Sequence, residues 1–508
     1  MSRIVKKVNR EVVARTAKRC RERGIVIPSY AQMRDPSLIP ASIQKRLPGV
    51  DVEAVDPLNL FRITWKNDPR TGLFGGPNYL EIPNAVTGVK ARIVGLVGKF
   101  FPTGAHKVGA AFSCLVPRLV SGEFDPEKHK AVWPSTGNYC RGGAFDSAIL
   151  GCTAVAVLPE NMSKERFTWL GKIGAEVIAT PGSESNVKEI YDECWRLKKD
   201  PVHVIFNQFE EFGNPIWHYN VTGPAVEEVF RAIARPTSRM AGWVSATGSA
   251  GTIAAGDYLK TIFPDAKVVA SEALQCPTLL SNGFGEHRIE GIGDKHVPWV
   301  HNVRNTDAVA AIDDEDCMRV LRLFNEPAGK ELLHAAGASK AAVARLRLLG
   351  ISSIANVLAA IKAAKYWDLG EDDILFMPFT DSVEMYRSRL KELTAAHGAF
   401  DEVAAARVQT GSLERQSVAN FKELTYADRK AIHHLKYYTW VEQQGKTYEE
   451  INAQWSPEYW RELFVDEVQE FERLIAEFNG KVGLPGSAPA RAAKPAKRAQ
   501  PAARGRKG

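Results

Sequence analysis

Residues 92–112 read Arg-Ile-Val-Gly-Leu-Val-Gly-Lys-Phe-Phe-Pro-Thr-Gly-Ala-His-Lys-Val-Gly-Ala-Ala-Phe. The apolar run over 92–97 predicts a β-strand, and the stretch over 107–120 predicts a helix. Pro102 lies between them and indicates a turn. A strand that leads through a turn into a helix is the repeating unit of parallel α/β folds. Lys107 therefore lies where such a turn becomes a helix.

Short apolar runs continue to alternate with amphipathic stretches from about residue 90 to 390. The runs that predict further strands are 131–133, 153–158, 176–180, 203–206 and 267–271. Helices are expected from about Arg141 and over 163–173. Apolar strands of this kind are typical of parallel sheets covered by helices on both faces, and ligands bind at the carboxyl ends of such strands. The sequence therefore predicts an α/β fold with its site at that edge.

The pattern changes to helices after about residue 391. Ser456-Pro-Glu458 is typical of a helix start, because proline fits the first helical position. Apolar side chains then recur at helical spacing, at Trp460, Leu463, Phe464, Val468, Phe471, Ile475 and Phe478. We therefore predict a helical appendage over 391–481. Residues 482–508 are rich in Ala, Pro, Lys, Arg and Gly, and we expect them to be a disordered basic tail.

The formal net charge of +7 comes from this tail. Residues 482–508 carry seven Lys or Arg and no Asp or Glu, so the charges of residues 1–481 sum to zero. Such a tail could contact nucleic acid or anionic lipid through non-specific electrostatics. No aromatic residues interleave its charges, however, and we expect a solvated end with neither nucleic acid nor membrane as a partner.

The cysteine content and the hydropathy of the sequence indicate the cellular compartment in which the protein is expected. The 508 residues include seven cysteines and no Cys-x-x-Cys pair, which argues against a disulfide framework or a structural zinc site. The longest uncharged apolar stretch, about 148–159, is shorter than the roughly 18 residues of a membrane span. Residues 1–24 hold nine Lys or Arg and two Glu, with Ile4, Val8 and Val12 at helical spacing. An organellar presequence is one interpretation, but we favour a surface helix that docks on the body of a cytoplasmic protein.

Lys107 is the first candidate for chemistry. Most lysines are solvated surface charges. Lys107 differs because its neighbours Ala105, Val108 and Gly109 are small or apolar. Burial lowers the pKa of a lysine amine, and such an amine can form a Schiff base with a carbonyl compound.

Two glycine-containing segments could bind an anion. Pro134-Ser-Thr-Gly-Asn-Tyr139 offers backbone N–H groups and short polar side chains to a carboxylate or phosphate, although an ordinary helix cap would look the same. Ala246-Thr-Gly-Ser-Ala-Gly-Thr-Ile253 could form a phosphate cup, or a plain loop. It is not a Walker loop, because no Gly-Lys-Ser/Thr follows, and it lacks the dinucleotide-binding spacing.

These motifs, in this order, resemble the cysteine synthase and cystathionine β-synthase branch of the fold-type II pyridoxal-phosphate (PLP) enzymes, from about Gly75 to Leu390. Phe101-Pro-Thr-Gly-Ala-His-Lys107 resembles the cofactor-lysine motif of this branch and also that of the tryptophan synthase β subunit. Tryptophan synthesis is disfavoured, because Trp133-Pro134 stands where that enzyme has an acidic catalytic residue. Further matching motifs are Ser135-Thr-Gly-Asn138, Leu158-Pro-Glu-Asn-Met-Ser-Lys-Glu-Arg166, Gly174-Ala-Glu-Val177, Asn207-Gln-Phe209, Asn214-Pro215, Thr222-Gly-Pro224, Gly248-Ser-Ala-Gly-Thr-Ile253, Glu286-His-Arg-Ile-Glu-Gly-Ile-Gly293, Gly350-Ile-Ser-Ser353 and Thr380-Asp-Ser-Val-Glu-Met-Tyr386.

The resemblance implies a division of the chain. It implies an N-terminal extension (1–74), a PLP-binding core of two parallel-sheet α/β domains (75–390, the smaller about 110–220), the helical C-terminal appendage (391–481) and the tail. It also implies a homodimer.

The resemblance also implies roles for individual residues. Lys107 would hold PLP as a Schiff base and remove the substrate α-proton. The other residues implied to bind the cofactor are Asn138, at its 3′ oxygen; Gly248, Ser249, Ala250, Gly251 and Thr252, at its phosphate; and Ser352, with Ser382 as second choice, at its pyridine nitrogen. The residues implied to hold the substrate carboxylate are Ser135, Thr136, Tyr139 and Gln208. A neutral Ser at the pyridine nitrogen, unlike an Asp, would limit carbanion build-up and favour β-elimination.

The sequence departs from the family pattern at several positions. Tyr139 stands where a small hydroxyl residue is usual, and would crowd the carboxylate site or change which amino acid fits. Ala250 and Ile354 each replace a usual glycine. About fifteen extra residues lie between Asp316 and Gly350.

The activity implied is PLP-dependent β-replacement on a serine derivative, O-acetylserine or serine, through an α-aminoacrylate, with a thiol or sulfide as nucleophile. One alternative is a serine/threonine dehydratase or ammonia-lyase, in which water receives the aminoacrylate. Another is a non-catalytic PLP-binding regulatory protein. Intact Lys107 and Asn138 argue against the latter.

Overall fold

The computed structural model describes residues 4–135, 137–182, 187–293 and 295–486. Within these ranges the strands are β1 Tyr79–Ile82, β2 Arg92–Val97, β3 Lys130–Pro134, β4 Thr153–Pro159, β5 Glu176–Thr180, β6 His203–Ile205, β7 Arg239–Ala246, β8 Lys267–Ala273, β9 Ala308–Ile312, β10 Asp373–Phe379 and β11 Phe421–Glu423.

The strands form two sheets. The larger has the order β1-β2-β10-β7-β8-β9-β11, and its inner strands are parallel while β1 and β11 are antiparallel edges. The smaller has the order β5-β4-β3-β6 and is parallel throughout. Two sheets of mainly parallel strands confirm the predicted fold class. In the larger sheet, β10 lies between β2, which leads to Lys107, and β7, which leads to the predicted phosphate cup.

The N-terminal segment packs on this body through the helices α1 Arg10–Glu22, α2 Tyr30–Arg34 and α3 Ala41–Gln44. The basic segment predicted to form a docking helix is α1, capped by the Asn9 side chain. Ile4 and Val12 are buried as expected, whereas Val8 is 47% exposed. Val8 precedes the helix, and the residues of α1 that are buried against the body include Val12 and Val13.

The helices of the α/β body come next. They are α4 Asn84–Thr87, α5 Lys107–Ser121, α6 Asn138–Leu150, α7 Lys164–Lys172, α8 Val187–Lys198, α9 Gly213–Trp217, α10 Gly223–Ile233, α11 Ile253–Ile262, α12 Thr278–Ser281, α13 Asp314–Asn325, α14 Pro327–Ala335, α15 Lys340–Arg345 and α16 Ile351–Tyr366. Helices α5 and α6 pack closely because Gly142 lies against Val108, whose Cα would be 2.7 Å from a Cβ at position 142. This close approach brings the first turns of both helices together at the candidate site.

The C-terminal region forms α17 Arg387–His397, α18 Glu402–Val408, α19 Tyr426–His434, α20 Tyr448–Ala453, α21 Pro457–Arg461 and α22 Glu467–Val482. Ser456 caps α21, and Phe471 is fully buried in α22, as the pattern predicted. Asn479 of α22 exchanges two hydrogen bonds with the backbone of Ile27, at 3.1 and 2.8 Å. The region is mostly helical, as predicted, and it also supplies the short strand β11 to the larger sheet.

Local patterns predicted six of the eleven strands in the described ranges, namely β2, β3, β4, β5, β6 and β8. All the proposed strands are present, and the helix expected from about Arg141 begins three residues earlier, at Asn138. The predicted tail lies almost wholly outside the described residues.

Among the described helices, none alone is long and apolar enough to span a membrane. The segments Lys340–Leu348 and Ile351–Tyr366 pass such a test only together, with a bend of 119° between them.

Candidate active site

Hydrogen bonds connect Lys107, Gln208 and Ser135, which lie in three separate parts of the chain. Lys107 is the first residue of α5 and is half-buried. Its Nζ donates to Gln208 Oε1 at 3.1 Å, and Gln208 Nε2 donates to Ser135 Oγ at 3.2 Å. Two hydrogen bonds thus connect the candidate Schiff-base lysine to Ser135 in the Pro134–Tyr139 turn, which is the candidate substrate loop.

The substrate loop ends at the N-terminus of α6. Ser135 Oγ accepts from the N–H of Gly137 at 3.1 Å. Gly137 has a φ of +157°, and a Cβ there would lie 1.8 Å from Arg166 Nη1, so the position requires glycine. Asn138 and Tyr139 are the first two residues of α6, and a helix leaves the N–H groups of its first turn unpaired. Thr136 lies outside the described residues.

Tyr139 points into the core beneath this loop. Its side chain is fully buried, with its ring edge-on to Trp133 at 5.4 Å between centroids and its phenol beside Cys114. Burial raises the pKa of the Tyr139 phenol well above its usual value. The large side chain therefore fills core volume, and the part of Tyr139 that faces a ligand is its backbone.

Asn138 belongs to a buried polar network that connects the two sheets. Its Nδ2 donates to Asp381 Oδ2 at 2.7 Å, and the Tyr386 hydroxyl donates to the same oxygen at 2.7 Å. Arg166 Nη2 donates to the Tyr386 oxygen at 3.1 Å and lies 3.3 Å from Glu290. Burial raises the pKa of Asp381, while the Arg166 charge and these hydrogen bonds oppose the rise. The network joins the Pro134–Tyr139 turn, the segment after β10 and the Glu286–Gly293 motif.

The predicted phosphate cup precedes α11. None of the backbone N–H groups from Gly248 to Thr252 donates to another described residue, which leaves five donors beside a helix N-terminus. A Cβ at Gly251 would lie 2.0 Å from Asn214 Oδ1. The Asn214 amide in turn donates to Gln208 O at 2.9 Å and to Ser249 Oγ at 3.0 Å.

Ala250 explains why a glycine is usual at its position. Its φ is +59°, in the left-handed region that L-residues enter at a cost of roughly 1–2 kcal/mol. Ala250 is nevertheless buried in an apolar cluster with Ile253 and Val268. The methyl group therefore contributes packing that partly offsets the backbone strain.

The two candidate serines for the pyridine nitrogen lie close together. Gly350 donates its N–H to the Asp381 carbonyl at 3.1 Å, which brings the start of α16, with Ser352, against the segment that contains Ser382. Both serines are buried. Ser382 Oγ has no hydrogen-bond partner among the described residues. It follows β10 and lies two residues from Thr380, whose carbonyl accepts from the His106 N–H at 3.3 Å.

Two further groups that could be reactive, His106 and Cys140, lie beside the site. His106 is fully buried, and burial together with the Lys107 charge lowers the pKa of its imidazole to about 3. It is therefore neutral beside Lys107. The Cys140 thiol donates to the Gly137 carbonyl at 2.9 Å, and burial raises its pKa to about 12. Cys140 is thus a buried small residue rather than a reactive thiolate.

Glu290 and three other network residues had no role in the sequence prediction. Asp381, Tyr386 and Arg166 all lie within motifs that resemble the family, so the signal was present. Their roles could not be read from it, because each depends on a partner more than two hundred residues away.

A lysine amine, a cup of free N–H groups and a polar loop at the ends of parallel strands define an enzyme site for a phosphorylated cofactor. A model of the pyridoxal-phosphate dependent enzyme family matches residues 78–361. A probable cysteine synthase of Bacillus subtilis is 30% identical over 290 residues, 57% of this chain and 86% of that protein. Cystathionine beta-synthase of Saccharomyces cerevisiae is 26% identical over 365 residues, 70% of this chain and 68% of that protein.

A solved structure of a hydrogen sulfide-producing enzyme from Fusobacterium nucleatum, in complex with an alpha-aminoacrylate intermediate, is similar in fold. It has a TM-score of 0.52 and 25% identity, and the match covers 61% of this chain and 87% of that one. The chain belongs to the pyridoxal-phosphate dependent enzymes. Its relatives are cysteine synthases and cystathionine β-synthases, which confirms the branch and the cofactor that the motifs predicted.

The site fits PLP on its own geometry. Lys107 offers an amine to the aldehyde, and the Gly248–Thr252 cup offers its N–H groups to the phosphate. The buried Asn138 Oδ1 and Ser382 Oγ have no partner among the described residues. Buried polar atoms are costly without partners, so these two are suited to a bound polar ligand.

Proposed function

We propose that the chain catalyses β-replacement on a serine derivative, O-acetylserine or serine, with sulfide or a thiol as the nucleophile. The observation that carries the proposal is the Lys107–Gln208–Ser135 series of hydrogen bonds, which links the cofactor lysine to the substrate loop. The names of the relatives, cysteine synthase and cystathionine beta-synthase, support this reaction class.

PLP, when bound, supplies an electron sink that stabilises negative charge at the substrate α-carbon. Lys107 holds the cofactor through Nζ until substrate displaces it, and its amine then takes the α-proton. The bond from the β-carbon to the leaving oxygen breaks, and that oxygen departs with the bonding electrons. Sulfide or a thiolate forms the new carbon–sulfur bond, and Lys107 returns the proton.

The substrate carboxylate is held by the loop at the N-terminus of α6. Ser135 Oγ and the Gln208 amide supply side-chain hydrogen bonds, and the Asn138 and Tyr139 N–H groups supply backbone ones. The helix N-terminus also favours a negative charge. We include Thr136 in this set from the resemblance alone.

The cofactor is held at three places. The Gly248, Ser249, Ala250, Gly251 and Thr252 N–H groups bind its phosphate, and Asn138 Nδ2 donates its second N–H to the 3′ oxygen. For the pyridine nitrogen we propose Ser352 from the resemblance, with Ser382 as second choice, since both serines are buried. From the resemblance we also propose a homodimer, which sedimentation analysis can check.

Product analysis tests the proposal. The purified, PLP-loaded protein is incubated with O-acetylserine or serine, with and without sulfide, beside Lys107→Ala and the exposed control Lys188→Ala. We expect cysteine only when sulfide is present, and none from Lys107→Ala. Pyruvate and ammonia in place of cysteine would replace the proposal with a dehydratase. No consumption of either substrate would favour a non-catalytic PLP-binding protein.

A further inference from the structure

A cavity of about 910 Å³ lies between helices α14 and α15 and the segments that flank strands β1, β2 and β10. Its walls come from Pro69 in the N-terminal segment, from Lys99 and Phe100 in the turn after β2, from Glu384 after β10, and from side chains over residues 330–348. None of the proposed cofactor or substrate residues lines it. Part of this wall comes from the region of extra residues between Asp316 and Gly350, for which the family pattern has no counterpart.

The charges around this cavity are unbalanced. The charged residues that line it are the cations Lys99, Lys330, Lys340, Arg345 and Arg347 and the anions Glu331 and Glu384. Among these Lys, Arg and Glu side chains, the cations exceed the anions by three charges. This excess contrasts with the near-neutral balance of residues 1–481.

Within the described residues, two of these cations have protein partners. Lys99 forms an ion pair with Glu384, and Arg345 Nη2 donates to the Tyr79 carbonyl at 2.6 Å. Lys330, Lys340 and Arg347 have no ion pair or hydrogen bond to another side chain in the described ranges. Like charges clustered around a concavity create a positive potential that attracts anions. Three such cations suit a ligand with more than one anionic group.

The cavity also has an apolar wall. Phe100, Val343 and Leu348 line it, with Pro69 and Ala344 at other points. Its volume is within the range of roughly 300–1,000 Å³ that small-molecule sites occupy. An inorganic anion alone would leave this apolar surface uncovered, whereas an organic anion would cover it.

We propose that this cavity is a second ligand site, which binds an organic molecule carrying two or more phosphate or carboxylate groups on an apolar body. Lys330, Lys340 and Arg347 would contact the anionic groups, and Phe100, Val343 and Leu348 the apolar body. The cavity shares two chain segments with the catalytic site, because Lys99 precedes Lys107 by eight residues and Glu384 follows Ser382 by two. A bound anion would compete with Glu384 for Lys99.

Calorimetric titration of the PLP-loaded enzyme tests this site, since bound PLP occupies the phosphate cup. The probes are ATP, citrate and inorganic pyrophosphate at low ionic strength, with adenosine as the uncharged match of ATP. We expect at least one anion to bind, adenosine to bind at least tenfold more weakly than ATP, and affinity to fall as salt screens the charges. The double variant Lys330→Gln/Arg347→Gln should weaken anion binding at least tenfold.

The matched control is Lys18→Gln/Lys188→Gln, which also removes two positive charges. These two side chains are 78% and 70% exposed and lie outside the cavity. This control should bind the anions as the wild type does. Equal weakening in both double variants, or no binding of any of the three anions, would overturn the proposal. It would also be overturned if Lys330→Gln/Arg347→Gln changed the sedimentation coefficient and left anion affinity intact, because a second copy of the chain would then cover the cavity. None of these outcomes depends on turnover, so the proposed function is tested separately.

Discussion

Asn138 and Asp381 are 243 positions apart in the chain, yet Asn138 Nδ2 donates to Asp381 Oδ2 at 2.7 Å. Asn138 begins the helix that follows β3 of the smaller sheet, and Asp381 follows β10 of the larger one. The bond therefore fixes the orientation of the Asn138 amide from across the cleft. It makes Asp381 a positioning residue for the group that we propose to bind the cofactor's 3′ oxygen.

Asp381→Ala should weaken PLP affinity by about tenfold to a hundredfold, since a hydrogen bond to a charged group contributes about 1.5–3 kcal/mol. It should also shift the absorbance of the bound cofactor, because the Asn138 amide is then free to turn. Asp381→Asn retains an acceptor for Asn138 and should recover most of the affinity. Equilibrium dialysis and absorbance spectra measure both effects. Equal losses in the Ala and Asn variants would show that charge, not orientation, is what Asp381 supplies.

Lys107→Ala should abolish covalent retention of PLP. In the wild type, borohydride reduction should attach the cofactor to Lys107 Nζ, and mass spectrometry of the peptide that contains residue 107 should detect the added mass. The exposed control Lys188→Ala should label as the wild type does. Labelling at a different lysine in the wild type would contradict the assignment of Lys107.

Gly251→Ala should weaken PLP affinity more than tenfold. The new Cβ would lie 2.0 Å from Asn214 Oδ1, so Asn214 would have to leave its bonds to Gln208 and Ser249. The matched control is Gly480→Ala in α22, where a Cβ meets nothing within 4 Å. Alanine there should be neutral or slightly stabilising, because it favours helix over glycine. Unchanged PLP affinity in Gly251→Ala would mean that the cup does not hold the phosphate.

Asp257 should make folding stability depend on pH. Burial raises the pKa of this carboxyl from 3.8 to about 7, although Asn302 and Asn305 donate to it. Between these values the folded state holds a proton that the unfolded chain has lost. The free energy of unfolding therefore falls as pH rises through this window, by up to about 1.4 kcal/mol per pH unit from this group.

Asp257→Asn removes this titration and keeps an oxygen that can accept from Asn302 and Asn305. Both asparagines donate to Oδ1 of Asp257, whereas its Oδ2 has no partner among the described residues. Urea unfolding at pH 5, 6, 7 and 8 should give a flatter pH dependence than in the wild type. The exposed control Asp265→Asn should keep the wild-type slope. The same slope in Asp257→Asn would show that Asp257 is ionised in the folded state throughout this range.

The elements that periodicity predicted are those with local causes. The run over 92–97 forms a strand and the stretch from Lys107 a helix because hydrophobic spacing and turn residues favour them locally. Strand β11 was missed because three residues, Phe421–Glu423, become a strand only by pairing with β9. In the site, Lys107 and the cup followed from motifs, whereas the inward direction of Tyr139 depends on packing against Trp133. Long-range pairing of this kind leaves no local pattern.

The C-terminal helix α22 should be needed for the stability of the α/β body. Phe471 is fully buried, and its ring lies 6.2 Å from that of Tyr30, whose hydroxyl shares a hydrogen bond with Ser113 of α5. Phe471→Ala should lower the free energy of unfolding by about 3–5 kcal/mol, from lost apolar contact and a residual cavity. Tyr448→Ala, at a position 60% exposed, should change it by less than about 0.5 kcal/mol. Differential scanning calorimetry distinguishes two cases. If Phe471→Ala lowers the temperature of a single unfolding transition, α22 belongs to the core that holds Lys107. If only a separate transition shifts, the appendage unfolds as an independent unit.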